Sequence, residues 1–208
     1  MKEFYEVLCK QGEGVCTGES NATTVQKYLR PAPFFSINPL DLSKDHGYFL
    51  DPDKYDQYNP RRADLNVTCF RNVMFEMDSI DTDDQLKIFR NSDIPFTSLI
   101  YSGGKSIHAI LSVEGGICGG VHTTEGLDNY KYLWKRLAAK LDREAVLMGY
   151  KYPKNSHSFI DHNCKNPSRL SRFPDYIRDN GNIQTLIQLT DSMNQVDFQE
   201  LISNCPEV

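Results

Sequence analysis

The chain has 208 residues, of which 39% are hydrophobic, 25% charged and 11% aromatic, a balance that suits one folded domain over 1–208 and excludes a low-complexity polymer. Its formal net charge of −5 speaks against indiscriminate nucleic-acid binding, and no apolar run approaches the roughly 18 to 20 residues that a membrane span needs. Met1-Lys2-Glu3-Phe4-Tyr5-Glu6 places acids where a signal peptide wants positive charge and then apolar length, so a soluble, cytoplasmic protein is expected.

Residues 1 to 32 read as a short helical or irregular lead-in, part of an N-terminal extension over about 1–65. Phe34 to Ile37 predicts a strand ended by Asn38-Pro39, and the polar stretch from Asp41 to Arg62, rich in Tyr, Asp and Pro, predicts a long surface loop. Asn72 to Asp78 alternates, with Val73, Phe75 and Met77 on one face and Asn72, Met74, Glu76 and Asp78 on the other. Thr82 followed by Gln85 is a capping-box signal for a short helix with Leu86 and Phe89 inward, broken at Ile94-Pro95. Thr97 to Tyr101 predicts a second strand, and Ser102-Gly103-Gly104-Lys105 a tight turn into a third, Ser106 to Val113. On that strand Ile107, Ala109, Leu111 and Val113 would be buried, leaving Ser106 and His108 on the opposite face.

The clearest helix spans about Leu127 to Met148, where Tyr130, Leu133, Trp134, Leu137, Leu141 and Ala145 recur at helical spacing. Further strands are expected near Ser158 to Asp161 and Gln184 to Leu189, and a closing helix near Gln195 to Ser203. Strand, helix, hairpin, helix, strand is the order of an α+β fold with an RRM-like or ferredoxin-like sheet core and flanking helices.

Charge is distributed unevenly. Ten basic residues lie between Lys131 and Arg172 against three acids, while the acidity concentrates in Asp41 to Asp56 and Glu76 to Asp84. Such asymmetry suits a protein that holds metal at one place and phosphates at another. The six cysteines contain no CxxC pair and read mostly as free thiols; zinc sets drawn from Cys118 and His122, or from His157, His162 and Cys164, match no standard spacing.

Three clusters carry chemistry. In Phe75-Glu76-Met77-Asp78 the two acids project from one strand face, their Cα atoms roughly 6.5 to 7 Å apart, and their repulsion is relieved by solvent or by a hard cation such as Mg²⁺ or Mn²⁺. A solvated strand end beside an acidic helix start gives the same pattern. In Tyr101-Ser102-Gly103-Gly104-Lys105-Ser106-Ile107-His108 two glycines allow close backbone approach, and Lys, Ser and His supply donors for phosphate oxygens. It is not a P-loop: Leu99 stands where the first glycine belongs, and a strand follows. A plain hairpin turn is the other reading. In Asp161-His162-Asn163-Cys164-Lys165-Asn166-Pro167-Ser168-Arg169-Leu170-Ser171-Arg172-Phe173-Pro174, Asp161 offers a third carboxylate and Arg169 and Arg172 can meet phosphate bidentately; a basic surface loop accounts for the same residues.

Taken together, Glu76-x-Asp78, Ser106-x-His108 and Asp161, with the fuller strings Tyr-Ser-Gly-Gly-Lys-Ser-x-His and Asn-Pro-Ser-Arg-Leu-Ser-Arg-x-Pro, resemble the motif set of the archaeo-eukaryotic primase superfamily over about residues 70–175. The nearest resemblance is to primase-polymerases of phages, plasmids and other mobile elements. It implies a template-directed DNA primase or polymerase, a nucleotidyltransferase acting in DNA replication, with single-stranded template and primer and nucleoside triphosphates as substrates. By the same resemblance Glu76, Asp78 and Asp161 would hold two Mg²⁺ or Mn²⁺ ions. Ser102, Gly103, Gly104, Lys105, Ser106 and His108 would bind the triphosphate, and Arg169 and Arg172 would contact nucleotide phosphates or the template. Glu76 departs from the family, where many relatives have Asp. Relatives often carry a helicase motor, which makes a replicative helicase an expected partner; no membrane is implied. Two rival classes are a non-catalytic RRM-like nucleic-acid-binding module and a replication-initiator nuclease. The first wants exposed aromatics on its sheet; the second wants a His-hydrophobe-His pair that this chain lacks.

Overall fold

The computed structural model describes residues 2–26, 31–42, 62–117, 123–196, 198–203 and 205. Within them the chain forms α1 (Lys2–Leu8), β1 (Val15–Gly18), β2 (Val25–Gln26), β3 (Phe34–Ser36), β4 (Asn72–Phe75), α2 (Thr82–Asn91), β5 (Ser98–Tyr101), β6 (Ile107–Ser112), α3 (Thr124–Leu147), β7 (Leu170–Arg172), β8 (Thr185–Leu189) and α4 (Phe198–Ser203). The result is an α+β fold with two four-stranded sheets, ordered β2-β1-β3-β7 and β4-β6-β5-β8. Every pairing within them is antiparallel. The surface loop expected from Asp41 to Arg62 lies, apart from its ends, outside the described residues, as do Cys118 and His122.

The lead-in is helical at its start, as expected, in α1 and then builds β1 and β2, and β7 from the third cluster completes their sheet by pairing with β3, Phe34 opposite Arg172 and Ser36 opposite Leu170. Phe4, Phe35 and Phe173 pack edge to face under it, ring centroids 5.4 to 6.5 Å apart. In the other sheet β4 pairs with β6, Asn72 opposite Ser112 through Phe75 opposite Ala109. Beyond Phe75 regular pairing on that side stops. The strand expected near Ser158 to Asp161 is a single antiparallel bridge, Ile160 with Met77.

The stripe read on α3 is buried as expected, and it covers the otherwise free edge of β4. Trp134 stacks on Phe75 with centroids 5.8 Å apart while its Nε1 donates to Met74 O at 3.0 Å, and Tyr130 Oη donates to Asn72 O at 3.0 Å. Thr123 caps the helix by accepting from Gly126 N at 2.9 Å.

The polar face expected to stand open on β4 and β6 is covered over most of its length, because the first sheet packs there. Asn72 is fully buried, donating to Leu8 O at 3.0 Å. Asn38 Oδ1 accepts from the backbone of Arg71 and Asn72, and its Nδ2 donates to Asn72 O and Pro167 O. These two asparagines spend their full hydrogen-bonding capacity on joining the sheets at β4, apart from Asn72 Oδ1, which is buried without a partner. Among the described residues, no helix is long and apolar enough to cross a membrane.

The capping box does not form at α2. Asp81 is the N-cap, accepting from Asp83 N at 2.9 Å, and Gln85 turns inward. Its Nε2 donates to Ile80 O at 2.7 Å and Lys105 O at 2.8 Å, and its Oε1 accepts from Ile107 N at 2.8 Å, so one amide joins α2 to the β5–β6 hairpin. Gln85→Leu strands three backbone groups inside the protein and should cost about 2–4 kcal/mol. Urea unfolding checks this; an unchanged midpoint would mean that the joint carries no stability.

Candidate active site

Glu76 of the first cluster and Asp161 of the third are brought together by the Met77–Ile160 bridge, whereas Asp78 stays outside that group and only lines the cleft beside it. Because Asp161 N donates to Glu76 O at 3.0 Å, Asp161 is registered beside the end of β4 although 85 positions separate the bridge acids in sequence (161 minus 76). Asp161 also caps the 3-10 turn His162–Lys165, accepting from Asn163 N at 2.9 Å.

Glu76 is the centre. It is 8% exposed. Its Oε2 accepts from His108 Nε2 at 2.8 Å, its Oε1 from Arg169 Nη2 at 2.9 Å, and the Cys164 thiol lies 3.7 Å from Oε1. Burial pushes the Glu76 carboxyl up, but the His108 hydrogen bond and the Arg169 guanidinium outweigh it and hold the group far below the usual carboxylate range. Arg169 Nη2 is also 2.9 Å from Asp161 Oδ2, so one guanidinium nitrogen bridges both acids. Burial would lower the Arg169 pKa, yet the surrounding acids and thiol leave it raised.

His108 comes from β6, where Ile100 pairs with it. Its Nδ1 accepts from Arg172 N at 3.3 Å and meets Ser171 Oγ at 3.1 Å, which fixes the tautomer with hydrogen on Nε2, pointed at Glu76. Both ring nitrogens are engaged inside the protein. The phosphate-donor role expected for His108 therefore requires Nε2–H to exchange Glu76 for a phosphate oxygen.

Asp78 is exposed, its side chain 58% accessible, with Lys105 Nζ 4.0 Å away, a loose surface contact of little energetic weight. In the glycine turn Ser102 N donates to Ser106 O at 2.9 Å, Ser102 Oγ lies 3.3 Å from both Ser106 N and Ser106 Oγ, and Gly103 has φ +68°. Arg172 lies over the Phe34 ring, 3.9 Å from its centroid; burial and the neighbouring Arg178 pull its pKa down.

These residues line one open cleft of about 410 Å³: Glu76, Asp78, Ser102, Gly104, Lys105, Ser106, His108, Asp161, Arg169 and Arg172, joined by Ser20, Phe34, Arg62, Leu170 and Arg178. Of the residues singled out from sequence, Gly103 alone is outside the lining, its carbonyl bound instead by Arg178 and Asn182. Of the ten basic residues expected to form a patch, Arg169 and Arg172 reach the cleft; Arg136 faces away, donating to Tyr132 Oη and Cys205 O. Arg62 and Arg178 were missed. Neither carries a sequence signal, since each arrives from a loop whose path no periodicity encodes.

The donor set fits a hard cation. Two carboxylates already share a positive centre, and Glu76, Asp161 and Cys164 can bring one ligand atom each within 4.8 Å of one another. The oxygens suit Mg²⁺ or Mn²⁺. Burial and the Glu76 charge hold the Cys164 thiol well above its ordinary pKa, which keeps it neutral beside Glu76. A cation bound by both acids would take the place of Arg169. The zinc set His157, His162 and Cys164 is not assembled: the His162 ring packs edge-on against Trp134.

No protein-family model matches the sequence, and no curated protein matches it. Among solved structures the chain is similar to the AEP domain of the primase-polymerase of cyanophage S-2L, with TM-score 0.51 and 19% identity over 71% of this chain and 66% of that one. It is also similar to the polymerase domain of Ligase D from Mycobacterium tuberculosis in complex with DNA, with TM-score 0.41 and 16% identity over 72% of this chain and 54% of that one. The chain thus spans less than two thirds of each domain. Its fold is of the archaeo-eukaryotic primase-polymerase type.

In metal-free buffer at pH 7, Glu76→Gln should cost about 3 kcal/mol, as for a buried ion pair that loses one partner. Because the folded state depresses the Glu76 pKa, the stability it brings is complete above the unfolded-chain value of about 4.3 and is lost as pH falls below it. Denaturant unfolding of both proteins should show a gap that narrows in acid; a gap independent of pH would sink the charge assignment.

Proposed function

We propose that this chain is the catalytic core of a metal-dependent, template-directed nucleotidyltransferase, a DNA primase or polymerase that joins nucleoside triphosphates to a 3′-hydroxyl and releases pyrophosphate. The observation that carries this reading is the meeting of three carboxylates with five cationic side chains, Arg62, Lys105, Arg169, Arg172 and Arg178, around one cleft. A phosphoryl-transfer site needs both signs of charge at close quarters, acids for the cation and bases for the phosphates. A fold of primase-polymerase type adds support. Ile160 beside β4, with β6 and β5 following, is read as the RRM-like core, its fourth strand reduced to one bridge.

In this reading Glu76, Asp78 and Asp161 hold Mg²⁺ or Mn²⁺, which when bound supplies Lewis-acid activation of the 3′-hydroxyl and charge neutralisation of the leaving pyrophosphate. His108 holds the Glu76 carboxylate in place through Nε2–H, and Ser171 and the Arg172 backbone hold His108. Arg169, freed from Glu76 and Asp161, itself lines the cleft and can turn its fork to phosphate without leaving it. Lys105 and Ser106 at the glycine turn meet the triphosphate, and single-stranded template and primer lie along the cationic wall. Asp78, exposed and held by one loose contact, is the carboxylate most free to reorient toward a ligand.

Incorporation of labelled nucleotide with Mg²⁺ or Mn²⁺ on primed and unprimed templates tests the reading. Asp78→Ala and Asp161→Ala should lower kcat by about 10² or more, whereas Cys164→Ala should keep activity within a few-fold. Full activity in Asp78→Ala would remove the metal assignment, and strand binding without any incorporation would favour a non-catalytic binding module.

A further inference from the structure

The glycine turn has a second neighbour that its sequence does not announce. Residues 175–184 form a hairpin closed by its own backbone: Asp175 N donates to Gln184 O at 2.7 Å, Gln184 N to Tyr176 O at 2.9 Å, Arg178 N to Asn182 O at 2.9 Å, and Ile177 bridges Ile183. From this hairpin Arg178 Nη1 donates to Gly103 O at 3.0 Å, and Asn182 Nδ2 donates to the same oxygen at 2.9 Å. A Cβ on Gly103 would stand 3.0 Å from Arg178 Cδ, and one on Gly104 2.9 Å from Arg178 Nη1. Both glycines therefore make room for the arm of Arg178, and Gly103 also needs its positive φ.

The arm is anchored, but no carboxylate pairs with its charge directly. Among the described residues neither Arg178 nor Arg172 has a carboxylate within ion-pairing distance, and the two guanidiniums face the same cleft. Arg172, half-buried over Phe34, feels the like charge of Arg178 directly. Glu76 and Glu19 attract Arg172 from farther off without offsetting burial and Arg178, and an anion between the two guanidiniums relieves their repulsion. The carbonyl bond uses one of five guanidinium N–H groups, which leaves donors for phosphate oxygens. Arg178 and Arg172 also line a second groove of about 360 Å³ beside Phe34 and Tyr176, whose lining also carries Glu19 and Asp179.

Resting on the nucleotidyltransferase reading above, we propose that Arg178 is a phosphate-binding residue of the site, held by the Gly103–Gly104 turn so that it and Arg172 grip phosphate groups at the mouth of the cleft. Phosphate reaches this position either as the triphosphate of a nucleotide or as the backbone of a strand in the adjoining groove.

The test measures, on the full chain with Mn²⁺, binding of a nucleoside triphosphate by calorimetry and of a single-stranded oligonucleotide by anisotropy across a salt series. Arg178→Met should weaken the triphosphate about tenfold or more if the nucleotide is the source. If the strand is the source, the oligonucleotide weakens and its log K against log salt slope falls by about one. Asn182→Ala, which removes the other donor to Gly103 O, should change neither by more than about twofold. Arg178→Lys keeps the charge and should recover part of the loss, which covers the case where Arg178→Met folds poorly. Equal losses in Arg178→Met and Asn182→Ala with a matching fall in Tm would overturn the proposal, since pinning of the turn would then explain everything. Unchanged binding in both Arg178→Met and Arg178→Lys would overturn it as well. A wild-type chain that binds neither ligand would instead bring down the nucleotidyltransferase reading, and this assignment with it.

Discussion

A carboxylate at 8% exposure has lost nearly all its water, and nothing apolar can compensate a full negative charge. Glu76 persists because His108 and Arg169 each answer one of its oxygens. That demand reaches across the molecule. Glu76 ends β4, His108 stands on β6, and Arg169 leads into β7, the strand that closes the other sheet. The register of β4 on β6 must place Ala109 opposite Phe75 for His108 to reach Glu76, and a slip by one residue would turn His108 to the opposite face. The pairing of β7 with β3 must likewise set Ser171 against His108 Nδ1. One buried anion thus couples the internal registers of both sheets.

Much of this was legible in the sequence. Period-two alternation gave β4, β5 and β6, and the stripe on α3 gave both the helix and its buried face. The acid-x-acid, Ser-x-His and later-acid clusters converge because their strands pair, and strand pairing follows from those same patterns. What the sequence concealed were contacts made by side chains against distant backbone. Gln85 looked like half of a capping box, a local motif, and serves a hairpin 20 residues away. Asn72 was placed on the polar face of its strand and is buried, because whether that face is covered depends on a second sheet assembled from two short strands in the lead-in, the strand at Phe34 and one from the third cluster. The lead-in strands, of four and two residues, are too short for periodicity to register. Arg178 was invisible for a related reason: its place is set by a turn whose partner is another turn.

The two sheets also divide the charge. Glu76, Asp78, Lys105 and His108 belong to the β4-β6-β5 side, whereas Arg169 and Arg172 flank or lie in β7, and Phe34, under Arg172, is in β3. The cleft is the seam between an acid-bearing sheet and a guanidinium-bearing one. An overall charge of −5 is no obstacle to phosphate binding when the cations are gathered on one wall of a seam, since the local field is set by groups within about a Debye length, roughly 8 Å at physiological salt.

A seam is useful only if it neither closes nor drifts. The hairpin 175–184 holds one rim of the seam by bonding Gly103 O through Arg178 and Asn182. Drift is opposed by the Asn38–Asn72 joint at one end and the Ser171–His108–Glu76 chain at the other. Between those fixed points Arg169 is a cross-seam link made by charge rather than by a neutral hydrogen bond, and it bridges the two acids best placed to share a cation. A divalent ion bound by both acids would compete with Arg169 for the same oxygens and would leave the guanidinium free to turn into the cleft. The carboxylates then need no rearrangement of either sheet to pass from one cation to the other, because the backbone that holds them is registered by bonds the exchange does not touch.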